Sequence, residues 1–132
     1  MGLKEKQLTK TLQEATVPDV ERMLNSIAGN AKIVLNVDWE SFQSSSAGLS
    51  GLQNNILNPL IEAMRSVCTS NMAREAVQEG IRTISIKNIV DKPEETLIDL
   101  KDGTLTLHTN WGGDTKVLPT EAELTTLLED KL

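Results

Sequence analysis

His108 and Cys68 are the only histidine and the only cysteine in a chain of 132 residues that has no tyrosine. A cysteine–histidine pairing of nucleophile and base therefore has a single candidate, a Cys68–His108 dyad. Cys68 falls on the apolar stripe Leu60, Ile61, Met64, Val67 and Cys68, where an inert buried thiol is the ordinary outcome. His108 alternates out of phase with Leu105 and Leu107, so it belongs on the far face of that strand, and no spacing ties it to Cys68. A single cysteine also forbids an intramolecular disulfide, which suits a reducing, cytoplasmic compartment.

The segment Asn36-Val37-Asp38-Trp39-Glu40 offers two carboxylates just beyond a strand end, a place where acid–base groups or metal ligands gather in open sheets. Asp38 and Glu40 supply oxygens for a hard cation, but a pair without a third ligand or a phosphate site fits an exposed turn better. No glycine-rich phosphate loop or other cofactor motif of recognised spacing is present. The expectation is no catalytic residue, no metal and no cofactor. Trp39, Phe42 and Trp111 are the only aromatic residues. Tryptophan favours interfaces, and Gly112-Gly113-Asp114 beside Trp111 would leave it accessible on one side.

Charge is distributed unevenly. From Asp91 to Leu132 there are ten acidic and four basic side chains, while acid and base cancel over the first ninety residues, so the last third carries the whole net charge of −6. Polyanion binding draws on clustered Lys and Arg to release counterions. This chain has neither cluster nor surplus, so nucleic acid is excluded as an expected partner. No run approaches the ~20 apolar residues of a membrane span, and Lys6 stands where a myristoylation signal beginning at Gly2 would place Ser or Thr. Membrane partners are not expected either.

The elements that must position these groups follow from periodicity. Leu8, Leu12 and Ala15 predict a first helix with a thin stripe. Thr16 is placed to cap a second helix carrying Val20, Met23, Leu24 and Ile27, with Gly29 at its C-terminal cap. Lys32 to Asp38 alternates as a strand. Ser44 to Gly51 holds too much Ser and Gly for an element and predicts a loop. Asn58-Pro59 either starts a helix or kinks a longer one reaching back to Leu52; Thr69-Ser70-Asn71 can recap it before Gly80. Thr83 to Ile89 is a second strand.

Asp102-Gly103 between Thr96–Lys101 and Thr104–Trp111 is the signal for a type I′ hairpin. Its register should set Leu100 against Leu105 and Ile98 against Leu107. Thr120-Glu121-Ala122-Glu123 has capping-box spacing before Leu124, Leu127 and Leu128. The predicted fold is one α+β domain over 1–132, of order α-α-β-α-β-β-β-α. Its four-stranded mixed or antiparallel sheet ends in a C-terminal meander and is covered by helices. Residues 1–15 form an optional helical arm through which a homodimer would assemble.

The favoured functional reading is a small, acidic, non-enzymatic interaction domain, immunity-like or adaptor-like, that binds a basic protein partner. Its contact patch comprises Trp111, Asp102, Asp114, Glu121, Glu129 and Asp130. The rival reading is a small-molecule or enzymatic domain with a pocket between the sheet and the Ser/Gly loop, lined by Asp38, Glu40 and His108.

Overall fold

In a computed structural model, which describes residues 2–42, 46–113 and 118–132, two helical rods precede the first two strands. The first joins α1 (Leu3–Thr11) to α2 (Val17–Ile27) through a π-helical turn at Leu12–Thr16. The second joins α3 (Ser46–Gly51) to α4 (Asn58–Val67) through a π-helical stretch at Leu52–Leu57. Each π segment lies just ahead of a proline, Pro18 or Pro59. Proline has no N–H to donate to the preceding turn, and widening the helix there lets the chain pass without breaking.

Thr16 therefore does not cap. It is helical, at φ −66° and ψ −51°, with no side-chain cap bond. Pro59 sits inside a longer helix, the second of the two arrangements the sequence allowed. At the far end of α2 the cap is as expected, with Gly29 at φ 77°.

The predicted Ser/Gly loop is corrected over Ser46–Gly51, which is helical. Glycine is disfavoured in a helix by conformational entropy, yet here the missing side chains permit close packing. A Cβ on Gly51 would overlap the Trp111 carbonyl oxygen, and one on Gly112 would lie 2.6 Å from the Gly48 nitrogen. Tertiary contact thus outweighs local propensity.

α5 (Asn71–Gly80) begins at a new cap, Ser70, whose hydroxyl accepts from the Ala73 N–H at 3.1 Å. The strands are β1 (Val34–Val37), β2 (Thr83–Asn88), β3 (Leu97–Lys101) and β4 (Thr104–Thr109). They form one four-stranded mixed sheet in the order β1-β2-β4-β3. The hairpin register is the expected one, with Leu100 facing Leu105 and Ile98 facing Leu107. Asp102 and Gly103 take φ of 54° and 82°, as a type I′ turn requires.

The meander is corrected: β4 inserts beside β2 in parallel, leaving β3 at the edge. The local turn sets the β3–β4 pairing but not which of those strands meets β2. Parallel placement brings Leu105 and Leu107 level with Ile84 and Ile86 in the middle of the sheet, where both pairs are fully buried.

Side chains alternate across the sheet. Leu35, Ile84, Leu105 and Leu100 form one inward row; Val37, Ile86, Leu107 and Ile98 form the next. They join one apolar core running from Leu12 to Leu128. α6 (Glu121–Lys131) packs on α4 and β3, and its cap is the predicted one, with Thr120 Oγ1 accepting from Glu123 N at 3.1 Å.

The β1 edge is protected by α2. Glu21 accepts from the Leu35 N–H at 2.9 Å, while Asn25 bonds both the N–H and the carbonyl of Ile33. Backbone groups that would otherwise invite another strand are thereby occupied. The first helix is no detached arm, since Leu12 is buried and Leu8 packs against the core. Among the described residues no helix is long and apolar enough to cross a membrane.

Candidate functional site

Among the described residues the outward face of the sheet is exposed or half-buried at every position. From β1 to β3 its rows are Val34, Thr83, Thr104 and Lys101, then Asn36, Ser85, Thr106 and Asp99. Asp38 stays in register through its N–H to the Ile86 carbonyl, 2.9 Å, and begins a third row with Lys87, His108 and Leu97. Val34 and Leu97, at opposite corners, are 54% and 51% exposed.

His108 Nε2 stands 2.9 Å from Ser85 Oγ. Partial burial holds the imidazole below its ordinary pKa, Lys87 pushes it further down, and Asp38 opposes both. A neutral imidazole beside a hydroxyl can exchange a proton with it. Acyl transfer also needs a group orienting the imidazole and a donor set for an oxyanion. Asp38 instead accepts from the Ser41 N–H at 3.3 Å, at the head of a 3₁₀ turn over Trp39–Phe42.

The pocket expected between the sheet and the Ser/Gly segment is corrected. α3 packs with the buried Trp111 on the helical side of the sheet, while His108 lies on the open side. Glu40 lines a separate depression of about 320 Å³ with Ser41, Lys87, Asn88 and Asp91, which neither Asp38 nor His108 borders. Among the described residues no group of three or more His, Cys, Asp or Glu is placed to hold a metal ion. Cys68 is buried, as its stripe implied, and burial raises its thiol pKa against the opposing charge of Arg74.

The acidic patch also needs correction. Trp111 is fully buried, its indole N–H donating to the Leu107 carbonyl at 3.2 Å and its backbone N–H to Asn88 Oδ1 at 3.0 Å. Gly112 beside it and Gly51 of α3 let that helix approach the Trp111 backbone. Asp114 lies outside the described residues. Asp102 is exposed at the hairpin tip, where the Arg82 N–H donates to the Gly103 carbonyl at 2.7 Å and the Arg82 side chain lies alongside Gly103.

Asp130 sits on the flank of α6 that carries Glu123 and Leu127, a flank continuing toward Ile98 of β3. Glu121 and Glu129 lie on the other flank. The carboxylates are thus divided around α6 because Leu124 and Leu128 turn its middle into the core.

Glu121 and Glu129 border two adjoining depressions that meet at Ser66 and follow α6 along its length. The more apolar of the two, about 490 Å³, is lined by Val67, Met72, Ala76, Leu128 and Leu132 beside Glu129. Met72 is 81% exposed. Among the described lining residues there is no Lys or Arg. Arg65 is paired with Glu62 at 2.7 Å, and Arg74 bonds Asn71 and the Cys68 carbonyl. Met72 stands off the Ala73–Ala76–Val77 stripe, the one signal in the sequence that this helix has a second apolar edge. The contribution of Leu132 has no such signal, because it depends on α6 packing across α4.

No protein-family model matches the chain, and neither do the curated proteins or the solved structures to which it was compared.

Proposed function

We propose that this chain is a cytoplasmic, non-enzymatic interaction domain of adaptor or immunity type, which receives a basic amphipathic segment of a protein partner in the trough along α6. The observation that carries the reading is an apolar floor with an exposed methionine at its rim, bordered by Glu121 and Glu129 and by no cation among the described lining residues. A thioether side chain adapts to varied apolar partners. Unpaired carboxylates at a rim steer cationic partners and select against acidic ones. A helix presenting apolar residues at i, i+3 and i+4 with Lys or Arg beside them is the complementary shape. The free, buried state of Cys68 suits a reducing compartment.

The test is titration of the isotope-labelled chain with a synthetic helix of leucines and lysines in that pattern, alongside its leucine–glutamate counterpart. The lysine peptide is expected to shift the resonances of Ser66, Ala73, Ala76 and Leu132. Its affinity should fall at least about tenfold, or about 1.4 kcal/mol, in Glu121→Lys/Glu129→Lys and in Met72→Asp, and it should weaken with salt. Equal affinity for both peptides, or shifts confined to other surfaces, would refute the reading. The small-molecule reading has no comparable observation, since Asp38, Glu40 and His108 enclose no common space.

A further inference from the structure

We infer that the open face of the sheet associates with the same face of a second copy of this chain, the two sheets crossing nearly at right angles. Parallel ladders are seldom left bare on one side, and here β1–β2 and β2–β4 are both parallel. The exposed patch is nearly square. Three interstrand spacings of about 4.8 Å give a width of about 14 Å, and four residue steps of about 3.3 Å give a length of about 13 Å.

Its corners are Val34, Asp38, Leu97 and Lys101, with Val34 diagonal to Leu97 and Asp38 diagonal to Lys101. Two such faces can meet about a two-fold axis in four simple ways. An axis along the strands sets Val34 on Lys101 and Asp38 on Leu97. An axis across the strands sets Val34 on Asp38 and Leu97 on Lys101. The diagonal through Asp38 and Lys101 sets like charges together. The diagonal through Val34 and Leu97 alone matches every corner, stacking each apolar residue on its own copy and each Asp38 on the other copy's Lys101.

That same operation brings Lys87 next to Asp99 of the second copy. Asp99 already has Lys131 at 3.6 Å in its own chain. A near-square footprint lets the corners superpose after a quarter turn, and orthogonal packing is one of the two ordinary ways in which sheets stack. Thr83, Ser85, Thr104 and Thr106 fill the middle with hydroxyls, which hold water well and make the contact polar. The footprint between corner positions, about 14 by 13 Å, falls well short of the roughly 800 Å² per partner of a standard specific interface, so the association is expected to be weak and concentration-dependent. It uses neither Met72 nor the α6 carboxylates, so it stands apart from the trough.

Sedimentation velocity over a wide concentration range tests it. The parent chain should shift from monomer toward dimer as concentration rises. Asp38→Lys and Lys101→Asp should each weaken dimerisation at least about tenfold, and the double exchange should recover most of the loss, because opposite charges again meet. Both positions are exposed, although Asp38→Lys also removes the acceptor of the Ser41 N–H. Thermal melts of the variants separate lost association from lost folding, and the double exchange, which restores the charge pairing without that bond, isolates the contact between copies. Glu129→Lys should leave the dimer intact. A chain that stays monomeric throughout, a dimer indifferent to the single exchanges, or a double exchange no better than the singles would overturn the inference.

Discussion

Replacing Gly51 with alanine sets two effects against one another. In a helix the change ordinarily stabilises by up to about 1 kcal/mol, because glycine loses more backbone freedom on folding. At this position the new Cβ would overlap the Trp111 carbonyl oxygen, approach its carbon to 2.9 Å, and come within 3.2 Å of Asn55 Nδ2. Relief requires α3 to move away from the Trp111 backbone. That movement stretches the bond from Asn55 Nδ2 to the same carbonyl, now 3.1 Å.

Overpacking costs roughly 1–3 kcal/mol and the lost hydrogen bond about 1 kcal/mol. After subtracting the helix gain, the net loss is roughly 2 kcal/mol. Urea unfolding followed by tryptophan fluorescence is the assay, since Trp111 is fully buried and changes environment on unfolding. Gly80→Ala is the control, where the nearest atom is the tip of Leu132, a side chain free to rotate away. That variant should be neutral or slightly stabilised. A Gly51→Ala chain at least as stable as the parent would show that α3 does not abut Trp111, and would remove the explanation for a helix rich in Ser and Gly.

Three further outcomes are expected. Glu21→Ala should destabilise by roughly 1–3 kcal/mol and promote aggregation on warming, measured by light scattering, because it frees the Leu35 N–H on the β1 edge; Glu21→Gln, which keeps an acceptor, should be milder. His108 is held below its ordinary pKa of about 6.5, so the unfolded chain takes up its proton first. Stability should therefore be fully present above that value and fall as pH drops through it toward the folded pKa. Urea midpoints measured along that range should show the slope in the parent and a reduced slope in His108→Gln, and a parent that gains stability on acidification there would contradict the assignment. Cys68, buried and with its thiol pKa raised, should react with an aromatic disulfide reagent far more slowly in the native chain than in urea; an immediate burst of modification would contradict its placement.

What could be read in advance depended on how far apart along the chain the deciding atoms lie. The hairpin was legible to the residue, since Asp102 and Gly103 accept positive φ and a slip by one would send Leu105 and Leu107 outward. The Thr120 cap, the Ser70 recap, the Gly29 turn and the buried stripe of α4 were legible for the same reason, each being decided within one or two helical turns; in α2 Val20 and Leu24 are buried as expected, but Met23 is 39% exposed. Of the residues expected to form one patch, the structure places only Glu121 and Glu129 along the same flank of α6, while Trp111 is buried and Asp130 lies on the other flank, because charge along a chain carries no information about which side of a helix the core will claim.

The amino-acid order by itself determined the alternation of the strands, the tight turn that joins β3 to β4, the caps, and an acidic surplus without a basic cluster. These rest on interactions between near neighbours and survive any arrangement of the whole. Only the tertiary structure decided that Ser46–Gly51 is helical, that Trp111 is covered, that β4 lies between β2 and β3, and that, among the described residues, a sheet face and the trough along α6 stay open. Those outcomes follow from distant backbones meeting, as Gly51 meets Trp111 and Glu21 meets Leu35, where close packing and the pairing of edge groups outweigh local preference.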